Sequence, residues 1–486
     1  MTFSELEDQV SKIESGLSAE GRMLVDLFMP FCRALSSEIK ELSLENKQLK
    51  DRLAKNSSNS SKPPSQDILR SPKKRSLRES SGRQPGGQQG HPGQGGKLRD
   101  DPDEIVKYSV ASCPNCAQDL RSEPVYGLIR KQIEELPAIR TMVTEYQIEV
   151  KKCPCCNEQC KAEGCEVHHE FQYGPRVKAL SVYLSAYQFL PVQRTKELLS
   201  LLGLNLSSGT LDNFRKSASV SLSPFIELLR KSIIDSDAGF FDETGIKVSG
   251  KNNWIHVAAT KLYTLFLLHP KRGKEAHEAM AVLPFFKGVL HRDGYRSYNG
   301  YLDAILSLCC AHLLRELKFT IDHDAQKNWA TPLISLLIEI KGKVEKSSTL
   351  DLRWQADYRK RYRELIAMGL SQNPKRPPGP KRGRTAQSKT YNLLTRLQVN
   401  EDEVLRFMTH THAQFDNNQA ERDLRMNKVR AKISGGFRSF RAGEEFMRVR
   451  SFVATAVKQG HNPIESLVQL FTPGNTQYMK LADYPE

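Results

Sequence analysis

The sequence predicts an α/β protein whose main body is a mixed β-sheet carrying a helical insertion. Three observations lead there. AGFFDETGIKV, NNWIHVAATK and YTLFLLHP are strand-length apolar segments joined by short polar turns; GVLHRDGYRSY supplies a fourth after the helix-like KEAHEAMAVLPFF. A heptad pattern near the start predicts a coiled-coil helix. Paired CxxC turns further on predict a zinc-ribbon-like module.

Residues 1–55 hold the heptads. Cys32, Ile39, Asn46 and Leu53 fall at one seam position, and Leu35, Leu42 and Leu49 at the other. Glu38, Lys40, Glu41, Glu45, Lys47 and Lys50 surround them. A polar Asn in such a seam fixes register at some cost in stability, so self-association through this helix is expected. A helix packed on its own domain is the alternative. The composition then changes abruptly. NSSNSSKPPSQD has almost nothing to bury, RSPKKRSLRESSGR is basic, and QPGGQQGHPGQGGK is rich in Gly, Gln and Pro. Residues 56–100 therefore read as a flexible basic linker. Its candidates for phosphate contact are Lys73, Lys74 and Arg75.

In residues 101–172, Cys113 and Cys116 form one knuckle and Cys153 and Cys156 the other. MVTEYQIEVK alternates apolar and polar residues and predicts a strand leading into the second knuckle. Four thiolates on two such turns suit a structural Zn²⁺. Cys155 is the spare thiol; Cys160, Cys165, His168 and His169 either supply a second site or replace one ligand, or are free thiols and surface histidines. Residues 173–235 predict helices. LPVQRTKELLSLLGLNLSSGTLDNFRKSA has helix–turn–helix spacing, with Thr210 as the expected N-cap. Such a pair either reads DNA or packs beside the core.

In residues 236–318 the order is three strands, helix, strand, then helices. That is a ribonuclease H-like layout, a meander followed by a right-handed helical crossover to a parallel strand. It places Asp242 on the first strand and Asp293 at the end of the fourth, next to it. Residues 319–405 read as the helical insertion, broken by NPKRPPGPKRGR, whose prolines exclude a helix interior. Lys381, Arg382 and Arg384 make that loop a candidate grip on a phosphate backbone. Residues 406–472 complete the core. DNNQAERDLRMNKVRAKI predicts a helix capped by Asp416 or Asn417. Asn418, Glu421, Arg422 and Arg425 share one face, while Ala420 and Leu424 turn toward a core. Lys428 and Arg430 extend its basic surface. Residues 473–486 are a tail.

The 486 residues carry a formal charge of +16. Such an excess favours a polyanionic partner, because each phosphate neutralised releases counterions. No apolar segment reaches the length of a membrane span and no secretory signal opens the sequence, so a cytoplasmic location is expected. In that setting ten cysteines read as metal ligands or buried thiols, not as a disulfide framework. The glycine run at 86–96 lacks GKS/T, and no Ser-His-Asp order is convincing. What remains is Asp242, Asp293 and Glu421. Acids gathered from distant parts of a basic chain are the means of holding Mg²⁺, or Mn²⁺, against nucleic acid.

NSSNSSKPPSQD, GGQQGHPG, the paired knuckles, QYGPRVKALSVYL, FDETGIKV, HRDGYRSY, CCAHLLRELK and DNNQAERDLRMNKVRAKISGGFRS occur in that order. As a set they resemble the bacterial insertion-sequence 66 transposases over nearly the whole chain. The resemblance implies a DDE transposase that cleaves element DNA ends and joins their 3′-hydroxyls to target DNA. It puts the triad on Asp242, Asp293 and Glu421, and double-stranded DNA in the role of partner. It implies action at the bacterial nucleoid and leaves companion element-encoded proteins open. A Cys/Asp-x-x-His signature of some DDE families matches Cys309 and His312, read not as zinc ligands but either as supports of the site, together with Asn418, or as simple packing. Two other readings stand beside it: a catalytically idle DNA-binding derivative, and a ribonuclease H-like nuclease in recombination. All three acids are present, which favours catalysis; the zipper, linker and cysteine module favour transposition.

Overall fold

The computed structural model describes residues 9–13, 16–54, 97–164, 167, 169–346, 351–377 and 385–482. Lys73, Lys74 and Arg75 of the linker, Lys381, Arg382 and Arg384 of the proline-rich loop, Cys165 and His168 lie outside them. The N-terminal helix α1 runs over Ala19–Ala54. Leu35, Ile39, Leu42, Leu49 and Leu53 of the seam are all exposed on it, an apolar stripe open to solvent in the single chain. No helix among the described residues is long and apolar enough to cross a membrane.

Each CxxC turn closes the tip of a hairpin. Strands β1 (Val150–Lys152) and β2 (Gln159–Lys161) pair antiparallel around Cys153–Cys156. An isolated bridge between Ser112 and Asp119 does the same around Cys113–Cys116. The strand expected over MVTEYQIEVK starts only at Val150. Met142, Tyr146 and Ile148 face solvent and lie on no described ladder, so alternation alone does not make a strand there.

Four helices follow: α2 (Pro175–Ala186), α3 (Val192–Leu201), α4 (Ser208–Ser221) and α5 (Ser223–Ile234). Pro175 sits in the first turn of α2, where a missing N–H leaves no bond unmade. The cap of α4 is Ser207, not the expected Thr210. The Ser207 hydroxyl accepts the Thr210 N–H at 3.0 Å, because a capping side chain must stand before the first turn to reach its third N–H. Leu211, Phe214 and Ala218 of α4 are buried, and Arg215 donates to Glu445 at 3.0 Å. This helix therefore packs beside the sheet layer through one face.

The main sheet contains β3 (Ala238–Val248), β4 (Lys251–Ala259), β5 (Thr264–His269), β6 (Val289–Arg292) and β7 (Ile305–Leu308) in the order β5-β4-β3-β6-β7. The first three strands form an antiparallel meander. A short helix, α6 (Lys274–Met280), carries the crossover to β6, which runs parallel to β3; β7 is parallel to β6. Strand β7 has no counterpart in the sequence reading. Its four residues run into a helical pattern, and so short an apolar run has no period to recognise.

The inserted helices are α7 (Cys310–Asp324), α8 (Lys327–Lys346), α9 (Leu352–Gln372) and α10 (Lys389–Val399), followed by the single turns α11 (Glu401–Val404) and α12 (Arg406–Thr409). They share their own core around Trp329, Leu337, Tyr362 and Leu394, which also takes in Val289 and Leu308 of the sheet. The fully buried Arg292 at the end of β6 pairs with Glu403 of α11 and ties the two parts together. Three helices close the body: α13 (Asn418–Ser434), α14 (Phe440–Lys458) and α15 (Pro463–Phe471). Ala420 and Leu424 of α13 are buried, as the helical spacing predicts. Helix α14 covers the edge strand β5. Ser451 and Thr455 hydroxyls accept the N–H groups of Phe266 and Thr264 at 2.9 and 3.2 Å, which occupies two of the outward ladder groups on that edge. Gly443 makes this approach possible, since a Cβ there would stand 2.3 Å from Leu268.

Candidate active site

Asp242 and Asp293 meet through strand register. Phe240 pairs with His291 in the parallel β3–β6 ladder, and each aspartate lies two residues further along the chain. Asp293 stands just past β6, where its carboxylate accepts the Tyr295 N–H at 2.8 Å and turns the chain. Asp242 accepts the Glu243 N–H at 2.8 Å. The Asp242 side chain keeps some open surface yet sits deep among protein atoms. Burial pushes its carboxyl well above the usual carboxylate range, and the charges of Glu243, Asp293 and Glu421 push it further. Glu421 comes from the first turn of α13, which lies on β3 and β4.

Two side chains of α7 reach Glu421. Arg315 donates to its Oε1 at 3.0 Å, and His312 Nε2 is 3.5 Å from the same oxygen. His312 and Arg315 are three residues apart, so one helix face presents both. His312 was singled out from its spacing to Cys309; Arg315 was not, although the same period reveals it. Cys309 is buried, and burial pushes its thiol up to about 12. Its sulfur accepts the Asn417 N–H at 3.2 Å, while Asn417 Nδ2 donates to the Phe241 carbonyl at 2.7 Å. Asn417 therefore bolts the start of α13 to the strand bearing Asp242. Asp416, not Asn417, provides the side-chain cap, accepting the Asn418 N–H at 3.0 Å.

The oxygens of the three acids do not all fall within 4.8 Å of one another; among the described residues only Glu243, His256 and His277 meet that closely. The donor set is nevertheless all carboxylate oxygen, the kind of ligand a hard dication takes. Beside Asp293 lies a cavity of about 560 Å³ whose lining includes Arg292, Gly294, Arg296, Asn299, Asn392 and Arg396. On α13, Arg422 and Arg425 are exposed. Lys428 instead donates to the Gly245 carbonyl at 2.9 Å, and Arg430 to the Gly435 carbonyl at 2.9 Å with its guanidinium 3.7 Å over Phe437. Those two are engaged in holding the helix down.

The two cysteine turns have the same geometry. Cys113 and Cys153 N–H groups donate to Gln118 and Glu158 carbonyls at 2.9 and 2.8 Å. Ala117 and Asn157 follow in the left-handed region, at φ 58° and 63°. Backbone N–H groups of Asn115 and Cys116 lower the Cys113 pKa, and those of Cys156 and Cys155 lower that of Cys153. Each turn thus favours thiolate. The expected four-sulfur centre is not assembled, however, since its sulfurs are not among the groups that converge within 4.8 Å. The knuckles stand on separate hairpins joined by residues 124–149, which carry no helix or strand and are exposed throughout, so no packing drives them together.

The family model described as "Transposase IS66 family" matches residues 170–445, more than half the chain and a span that holds all three acids. A second model, a family of unknown function (DUF6444), matches residues 5–97. "Uncharacterized protein y4qI" of Sinorhizobium fredii (strain NBRC 101917 / NGR234) is 21% identical over 330 residues, which cover 63% of this chain and 60% of that protein. The match thus spans less than two thirds of that relative.

Proposed function

We propose a reaction for this chain, which belongs to the transposase IS66 family: cleavage of element DNA ends and joining of their 3′-hydroxyls to target DNA at Asp242, Asp293 and Glu421. The observation that carries this reading is the meeting of three acids from separate elements: Asp242 and Asp293 each lie two residues past the Phe240–His291 pair, and Glu421 enters from α13, which packs on β3. Acids from β3, from the end of β6 and from α13 press on one another there, and a dication relieves that repulsion. Bound by these carboxylates, two Mg²⁺ or Mn²⁺ ions supply activation of a water or 3′-hydroxyl and stabilisation of the leaving oxygen. Asp242 would be the bridging ligand, and Asp293 and Glu421 would each serve one ion. Arg315 and His312 aim the Glu421 carboxylate. The arginine-lined cavity beside Asp293, with Arg422 and Arg425, receives backbone phosphates. The strand order, a meander continued by two parallel strands, supports a ribonuclease H-like core. The test is DNA carrying the element ends: the purified chain is expected to yield 3′-hydroxyl ends with Mg²⁺ and none with Ca²⁺, whose looser coordination does not hold in-line geometry. Cleavage independent of added dication sinks the reading.

The same cleft predicts a stability effect. Asp242 has a folded pKa above its unfolded value, so between those two values the folded chain binds more protons and loses stability as pH rises. Mg²⁺ replaces the proton. At a hundred times Kd it should stabilise the parent by about 2.7 kcal/mol, and Asp242→Asn should remove most of that gain. Thermal melts with and without Mg²⁺ read both.

The exposed seam of α1 supports self-association, which a reaction on two DNA ends requires. Replacing Leu42 and Leu49 together by Glu is expected to lower the mass found by light scattering and leave the melting of the main body unchanged. Equal masses for variant and parent contradict the seam. The paired turns at Cys113, Cys116, Cys153 and Cys156, each closed by its own hydrogen bonds, support a structural Zn²⁺ that would draw the two hairpins together.

A further inference from the structure

Glu243 and His256 are direct partners in the β3–β4 ladder, so their side chains share one face of the sheet. Successive residues of a strand alternate, which puts Glu243 on the face opposite Asp242. The crossover helix α6 lays His277 over this pair. One ligand atom from each of the three residues lies within 4.8 Å of the other two, and all three residues are buried. We propose that Glu243, His256 and His277 form a second metal centre, separate from the catalytic cleft, that takes a zinc-class dication.

The hydrogen bonds around the cluster prepare its donor atoms. His256 Nε2 lies 3.1 Å from the Lys271 carbonyl oxygen. A carbonyl only accepts, so Nε2 carries the proton and the Nδ1 lone pair is left for a metal. The His277 ring is placed by stacking on Tyr298, with centroids 4.6 Å apart, and by an edge contact with His256. Packing thus accounts for the position of the ring but not for its polar atoms: both ring nitrogens are buried without a hydrogen-bond partner. A metal bond satisfies one of them. The Glu243 carboxylate is oriented on both oxygens, by Arg272 Nε and by the Tyr298 hydroxyl, each at 2.7 Å. Each oxygen keeps a second lone pair, and outer partners of this kind are how proteins aim a ligating carboxylate. Two imidazoles and one carboxylate suit Zn²⁺; Mg²⁺ prefers an all-oxygen shell. A bound ion would link β3, β4 and α6 directly behind Asp242 and hold that strand in place.

The experiment uses the full chain made in zinc-supplied medium, in a Cys113→Ser/Cys116→Ser/Cys153→Ser/Cys155→Ser/Cys156→Ser background that removes the knuckle thiolates. After dialysis, elemental analysis is expected to find about one zinc per chain, with an X-ray absorption edge showing nitrogen and oxygen neighbours only. Adding His277→Phe, which keeps the aromatic stacking, should remove that zinc. A background chain without zinc, or a His277→Phe chain that retains it, overturns the proposal and leaves a histidine pair held by packing alone. Should His277→Phe fail to fold, the absorption edge of the background chain still decides: a sulfur-free zinc shell supports the centre, and no zinc or a sulfur-containing shell overturns it. Strand cleavage is not the readout, so this centre and the proposed reaction stand or fall separately.

Discussion

Asp242→Ala is expected to lower end cleavage and strand joining by about 10³-fold or more, the scale of losing a group aimed at transition-state charge. DNA affinity should persist, because phosphate contacts rest on Lys and Arg elsewhere. It should even rise slightly, since a negative charge near the backbone disappears. The variant should also fold well. Asp242 is pushed out of its normal ionisation range by burial and by three neighbouring acids, so removing it relieves repulsion. Gel shift, cleavage assay and thermal melt on one preparation separate these outcomes. Loss of binding together with cleavage would make the acid structural and favour the idle DNA-binding reading.

Asn417→Ala should act on both stability and rate. Its side chain donates to the Phe241 carbonyl inside the core, and its N–H reaches Cys309. Truncation leaves that buried carbonyl without its partner, for a loss of about 1–3 kcal/mol. It also frees the start of α13, four residues before Glu421. Since Asn417 would act as an outer-shell group, the rate should fall roughly 10–100-fold. The discriminating readout is the metal concentration for half-maximal cleavage. A positioning role raises it, whereas a purely structural role lowers only the folded fraction. Denaturant melts and metal titrations provide the two numbers.

The strand bearing Asp242 is legible in the sequence because a long segment bounded by turns keeps its pattern without tertiary information, and the short β6 before Asp293 is legible because its apolar run ends in the turn-forming residues that follow. Ala420 and Leu424 are legible on α13 through their helical spacing. What depends on register or on long-range approach is not. Glu243 and His256 become neighbours only through the β3–β4 pairing, and His277 joins them only through the crossover. Asn417 reads as a cap candidate and proves to be a buried bolt between three elements. The two cysteine turns are legible because each is closed by its own local hydrogen bonds. Their convergence is not, since it rests on exposed connecting chain with little to pack. Four residues of β7 carry too little pattern to stand out from the helix that follows.

The central claim is that Asp242, Asp293 and Glu421 hold a pair of divalent ions on DNA. Electron paramagnetic resonance of the Mn²⁺-loaded chain with end-bearing DNA tests it most directly. Two ions roughly 3.5–4 Å apart couple magnetically, so the parent should show an exchange-coupled pair that Asp242→Ala abolishes. A spectrum of isolated Mn²⁺ in the parent, or a coupled pair that survives Asp242→Ala, would contradict the account.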